Sequence, residues 1–121
     1  MVSKNIDTLA QGEIWLFDAD PTKGNEIGKK VRACLIISNN YWNKIKSGLV
    51  IVIPLTSVYR DISTHIRITP SEGGVTVDSY AICEQIRSIS QERLIKKMGK
   101  IKDRSILEKI QKWLIDLLRI D

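Results

Sequence analysis

The chain has 121 residues, 43% of them apolar, with 19 Lys and Arg against 14 Asp and Glu, one histidine and a net charge of +5. That apolar share can fill the core of one domain and excludes a disordered chain. No apolar run approaches the roughly 20 residues that cross a bilayer, and the opening MVSKNIDTLAQ lacks the apolar centre of a signal peptide, so a cytoplasmic protein is expected. Residues 1–90 are nearly balanced in charge, whereas residues 91–121 hold nine basic against five acidic side chains. Such an excess suits a phosphate backbone or an acidic partner, although for the C-terminal charges alone a solvated helix surface is the favoured reading.

Residues 1–10 read as a loose leader and residues 11–121 as a single domain. EIWLFDA (13–19) reads as a strand with Ile14 and Leu16 on one face and Trp15 and Phe17 on the other, buried on both. A long polar run rich in Gly, Lys and acidic residues follows, of a kind that in a compact domain is usually functional. RACLIIS (32–38) is a second strand, and NNYWNKIKSG (39–48) a short helical excursion ending at Gly48. LVIVIPLTS (49–57) is a third strand, in which Pro54, lacking an N–H, marks an edge or a bulge. THIRIT (64–69) alternates as a half-buried strand, and PSEGG (70–74) is a turn. VTVDSYAICEQIRSIS (75–90) is further strand material interrupted by Glu84 and Gln85; Ser90 then caps a short helix, and MGKIK (98–102) is a last short strand. In DRSILEKIQKWLIDLLRID the residues Ile106, Leu107, Ile110, Trp113, Leu114, Leu117 and Leu118 recur at helical spacing behind an Asp103 cap. The order is mainly β with α, an α+β arrangement: a small, strongly curved antiparallel β-barrel with short helices and a C-terminal amphipathic helix packed on it. Part of that helix's broad apolar stripe is available to a dimer.

Familiar catalytic sets are missing. There is no nucleophile elbow, P-loop or HExxH, and His65 is the only imidazole. Cys34 and Cys83 sit in apolar strand-like stretches and read as reduced core thiols, and no metal-ligand cluster is spaced for zinc. Polar residues instead stand where apolar strands begin or end: Arg32 before ACLII, Thr56 and Ser57 after LVIVIPL, and Glu84, Gln85 and Arg87 within AICEQIRS. Taken singly, each is explained by an ordinary ion pair or turn, such as Arg32 with Glu26. Taken together, they can converge on one face of a rigid barrel.

The stretch GEIWLFDADPTKGNEIGKKVRACLIISN resembles the opening of the MazF/PemK/Kid family of toxin endoribonucleases from type II toxin–antitoxin modules. Asp18, Asp20, Pro21, Gly24, Glu26, Gly28 and Arg32 fit its pattern; VIPLTS and AICEQIRSIS resemble its second and third blocks, and the C-terminal segment its ending. The resemblance spans nearly all of residues 11–120 and implies an SH3-like, PemK-type barrel. It departs at Ala33, where the family usually has proline, so a looser start of the strand carrying Arg32 is expected. Ile82 stands where some members place an arginine, and those members' mechanism is not transferred.

The resemblance implies cofactor-free, metal-independent, sequence-specific cleavage of single-stranded RNA, with the 2′-hydroxyl as nucleophile and 2′,3′-cyclic phosphate and 5′-hydroxyl ends as products. Arg32, Thr56 and Ser57 are the implied catalytic residues, the arginine stabilising phosphate charge. Lys23, Glu26, Lys29, Lys30, Glu84, Gln85 and Arg87 are the implied RNA-binding residues in a groove between two protomers of a homodimer. The implied protein partner is an antitoxin with an acidic, disordered tail. Two competing readings are a CcdB-like toxin that binds a protein such as gyrase, and a plain nucleic-acid-binding barrel. Against the latter, the chain has only three Trp, three Tyr and one Phe, and Trp15, Phe17 and Trp113 look committed to the core, leaving few base-stacking platforms.

Overall fold

The protein's computed structural model defines residues 9–19, 30–45 and 47–121. Most of the expected leader, together with Lys23, Glu26 and Lys29, lies outside the described residues. The described chain runs β1 (Glu13–Asp18), β2 (Val31–Ile36), α1 (Asn40–Lys44), β3 (Leu49–Thr56), β4 (His65–Ile68), β5 (Ser79–Ile82), β6 (Arg87–Ser90), β7 (Leu94–Lys100) and α2 (Arg104–Leu117). The seven strands form one antiparallel sheet in the order β4-β5-β3-β2-β1-β7, with β6 also paired to β3.

Strand alternation divides the core in two. Ile14, Leu35, Ile53 and Leu55 point to a cluster closed by α2, whose Ile110 is fully buried. Trp15, Phe17, Cys34, Ile36, Val50 and Val52 point the other way, to a cluster closed by Ile89 of β6 and Leu94 of β7. A sheet buried on both faces explains why β1, β2 and β3 read as nearly unbroken apolar runs. Both cysteines are free and buried. Burial pushes the Cys34 thiol up to about 12 and the Cys83 thiol up to about 11, so neither is a thiolate near neutral pH. Glu13, 3% exposed, is tolerated inside because one oxygen accepts from Trp15 Nε1 at 2.9 Å and the other meets Lys97 Nζ at 2.9 Å.

Pro54 is neither on an edge nor at a bulge. It pairs with Cys34 in the middle of the sheet, at the point where β3 changes its other neighbour: Leu49–Val52 pair with β6, and Leu55 and Thr56 pair with β5. The missing N–H falls where no partner needs it. The last strand is longer than MGKIK. It starts at Leu94, and the turn at Gly73 and Gly74 packs against its C-terminal residues Met98–Lys100. Gly74 has φ +78, and a Cβ there would collide with the Met98 carbonyl. Ala33 pairs with Leu16 inside β2, which is therefore held against β1 from Val31 onward despite lacking the family's proline.

Ser90 caps the 3-10 turn Gln91–Arg93, and Asp103 caps α2 by accepting from Ser105 N at 3.0 Å. Glu72 Oε1 accepts from Lys102 N at 2.6 Å and Asp103 N at 3.1 Å, tying the preceding turn to the helix start. Ile106, Leu107, Ile110, Trp113 and Leu114 pack on the sheet, but Leu117 and Leu118 run past it and are exposed. Ile110→Ala removes the one fully buried side chain of the helix. Urea unfolding should show a loss of about 2–5 kcal/mol.

Candidate active site

Arg32 is the second residue of β2, and Thr56 is the last of β3. The β2–β3 register pairs Cys34 with Pro54; continued two residues outward, it sets Arg32 opposite Thr56. The Arg32 side chain crosses to β3, where Nη2 donates to the Leu55 carbonyl at 2.9 Å. Its remaining N–H groups meet no acceptor among the described residues. Thr56 Oγ1 accepts from Val58 N at 3.1 Å, which orients the hydroxyl and leaves its proton to be donated elsewhere.

Arg32, Thr56 and Ser57 line one open cleft of about 310 Å³, together with Thr76, Ser79 and Met98. The last three come from the turn before β5, the first residue of β5 and β7. Sequence reasoning missed them, because nothing in VTVDS or MGK signals that these segments fold against the ends of β2 and β3. Ser79 Oγ donates to the Val77 carbonyl at 3.0 Å, which braces that turn. The ends of β1 and β2 are fixed by Ala19 N donating to Lys30 O at 2.8 Å and by Arg93 Nε donating to Asp18 O at 2.9 Å.

Glu84, Gln85 and Arg87 are not brought to this cleft. Cys83–Gln85 form a 3-10 turn after β5, and Arg87 opens β6 opposite Val52. Gln85 and Arg87 are exposed, as is Lys30 at the foot of β2. The Glu84 carboxylate is engaged structurally: Thr64 Oγ1 donates to one oxygen at 2.6 Å, and His65 Nε2 lies 3.0 Å from the other. The imidazole is nearly enclosed, with 4% side-chain exposure, and does not line the Arg32 cleft. Among the described residues, no group of three His, Cys, Asp or Glu side chains is placed to hold a metal ion.

Burial raises the Glu84 carboxyl, but the hydrogen bonds from Thr64, the backbone and His65 together outweigh it and leave it below its ordinary value of 4.5. A folded-state value below the unfolded one adds stability at higher pH that is lost as pH falls through the folded value. Thr64→Val removes the Thr64 bond. The unfolding free energies of wild type and Thr64→Val should therefore converge as pH is lowered from about 5.5 to about 3.

The chain is similar to known proteins in sequence and in fold. Residues 10–118 match the family described as PemK-like, MazF-like toxin of type II toxin–antitoxin system. Endoribonuclease MazF9 of Mycobacterium tuberculosis is 33% identical over 98 residues, covering 77% of this chain and 82% of that protein. Endoribonuclease EndoA of Bacillus subtilis is 29% identical over 115 residues, covering 93% of this chain and 97% of that protein. An endoribonuclease in complex with its cognate antitoxin, from Mycobacterial species, shares the fold at a TM-score of 0.72 and 23% identity, covering 93% of this chain and 99% of that one.

Proposed function

This chain belongs to the PemK-like, MazF-like toxins of type II toxin–antitoxin systems, and from that premise we propose that it is an endoribonuclease that cleaves single-stranded RNA without a metal ion. The observation that carries the proposal is the Arg32 guanidinium, tethered to Leu55 O with donors to spare, in one cleft with the Thr56 and Ser57 hydroxyls. RNA supplies the nucleophile. The 2′-oxygen forms a bond to phosphorus as its proton leaves, the bond to the 5′-oxygen breaks, and that oxygen takes up a proton. The products are a 2′,3′-cyclic phosphate and a 5′-hydroxyl, with no water consumed.

Negative charge grows on the nonbridging phosphate oxygens in the transition state. The planar fork of Arg32 suits that pair of oxygens, and fixed donors stabilise developing charge without reorganising. Thr56 donates its free hydroxyl proton to the same phosphate, and Ser57 assists. Lys30, Gln85 and Arg87, exposed on the surface, together with Lys23, Glu26 and Lys29, are assigned to holding the strand beyond the cleft. Glu84 is left out of that RNA-binding set, since Thr64 and His65 already engage its oxygens. The curated relatives named endoribonucleases favour this reading over that of a gyrase-binding toxin.

The proposal carries an antitoxin with an acidic tail and a homodimer. The basic excess of the chain suits the former. Ile115, Leu118 and Ile120, exposed at and beyond the end of α2, offer apolar surface to the latter.

Incubating purified protein with a long RNA in EDTA, then mapping the ends, tests the reaction. Cuts at a short shared sequence with cyclic-phosphate ends are expected; intact RNA, or cleavage only with added metal, would sink it. Arg32→Ala and Thr56→Ala should each slow cleavage by about 10²- to 10³-fold with unchanged melting temperature. Normal cleavage by either folded variant removes that residue from the mechanism. Binding of the acidic antitoxin segment should weaken as salt is raised from about 0.05 to 0.5 M; an affinity indifferent to salt contradicts its electrostatic part.

A further inference from the structure

The register that sets Arg32 opposite Thr56 continues across the sheet. Thr56 pairs with Tyr80 of β5, and Tyr80 with Arg67 of β4. Cross-strand partners share a face, so Thr56, Tyr80 and Arg67 form one row across three strands, each step about 4.8 Å, that begins beside Arg32. The row leads from the phosphate cleft to an aromatic pair. The Tyr80 ring lies 5.6 Å from that of Tyr59, with planes inclined at 59°. Tyr59 sits three residues beyond Thr56 and is 65% exposed. The two rings line a second cleft of about 290 Å³, with Arg60, Ser63, His65 and Arg67 around it.

We infer that Tyr59 and Tyr80 form a stacking platform for a base of the RNA strand next to the scissile phosphate, with Arg60 holding the adjoining backbone. The inference rests on the RNA-cleaving reading of the Arg32 cleft and adds a subsite to it. A tilted aromatic pair leaves a broad ring face open to a third ring. Every base has a π-face, so stacking binds a strand without demanding one sequence. Charge refines the assignment. Arg67 is held by Asp78 at 2.7 Å, and the Tyr59 hydroxyl faces Asp61 at 3.4 Å. Arg60 has no partner among the described residues, so it is the cation of this cleft free to meet a phosphate. Because Asp78 neutralises Arg67 and the Asp61 carboxylate also lines the cleft, its net charge is small, and the platform binds mainly by stacking and only weakly by charge. A basic surface alone would behave in the opposite way.

The test uses a fluorescent single-stranded RNA of mixed sequence with 2′-O-methyl riboses, which cannot form the cyclic phosphate. Binding is followed by anisotropy at several salt concentrations, and folding by thermal unfolding. Tyr59→Ala and Tyr80→Ala should each weaken binding by about 5- to 150-fold, whereas Tyr59→Phe and Tyr80→Phe keep the ring and should bind like wild type. Arg60→Ala should reduce the slope of log K against log salt by about 0.7. Tyr59 is exposed, so its variants remain informative if Tyr80→Ala unfolds. Wild-type affinity in a folded Tyr59→Ala overturns the platform. So does a loss of affinity for the antitoxin with RNA affinity unchanged, which would assign the rings to a protein. Wild-type cleavage of unmodified RNA separates the two proposals. If wild type binds the methylated RNA through its tyrosines but cuts nothing, the reaction fails and the platform stands. If it cuts and the alanine variants bind normally, the platform fails and the reaction stands.

Discussion

Strand β3 cannot keep one neighbour along its length, and the rest of the architecture follows from that constraint. Its first half is taken by β6 and its last two residues by β5, with Pro54 near the exchange. A residue with an N–H at Pro54 would leave that donor without a partner inside the sheet, where an unmet donor is costly. Proline fits because it has none to leave. The exchange sends β4 and β5 off on one path and β6 on another. Strand β3 ends at Thr56, still paired with Tyr80 of β5, and the cleft opens there and at Ser57. A largely buried strand thus ends in a fixed place at the cleft.

Arg32 uses the same strand end from the other side. An arginine side chain near the start of a strand ordinarily keeps its rotamer freedom in solvent. Here Nη2 is tied to the carbonyl of Leu55, the residue before Thr56, so guanidinium and hydroxyl are referred to one piece of backbone. The bond consumes one donor and leaves the others. It limits the rotamer freedom the side chain would lose on meeting a phosphate, which is how preorganisation turns contacts into rate. A cleft at strand ends is also supported by pairing on both sides, unlike one assembled from loops alone.

The elements whose burial follows a simple period were legible in the sequence. Strands β1 to β4, the turn at Gly73 and Gly74 and the capped terminal helix all lie where apolar spacing and cap residues put them. Strand β7 was legible only in part, since LIKKMGK hides its alternation behind lysines that face solvent along an edge. What stayed illegible depends on contacts between distant segments. No spacing rule announces that Thr64 and His65 engage a carboxylate some twenty residues away, so the structural contacts of Glu84, implied by the resemblance to bind RNA, could not be read from the sequence. Arg32, Thr56 and Ser57 were found as strand-end polar residues, but Thr76, Ser79 and Met98 reach the cleft only through the fold of the turn against β7. The tyrosines were counted in the sequence but not placed. Register alone puts Tyr80 beside Thr56.

The position of the single histidine bears on what chemistry the fold supports. His65 is almost enclosed and faces Glu84, where it helps to hold the turn between β5 and β6. An imidazole there is a structural partner for a carboxylate and is out of reach of the Arg32 cleft. The cleft is therefore furnished with hydrogen-bond donors, a guanidinium and hydroxyls, in place of a group that titrates near neutrality. Donors of that kind stabilise charge on a phosphate well and abstract protons poorly. They suit a substrate that carries its own nucleophile beside the bond to be broken, and RNA, with a 2′-hydroxyl next to every phosphate, is such a substrate. The same reasoning places the demand on geometry: the one imidazole of the chain is engaged elsewhere, so the proposed reaction rests on how well β2 and β3 hold Arg32 and Thr56 in place.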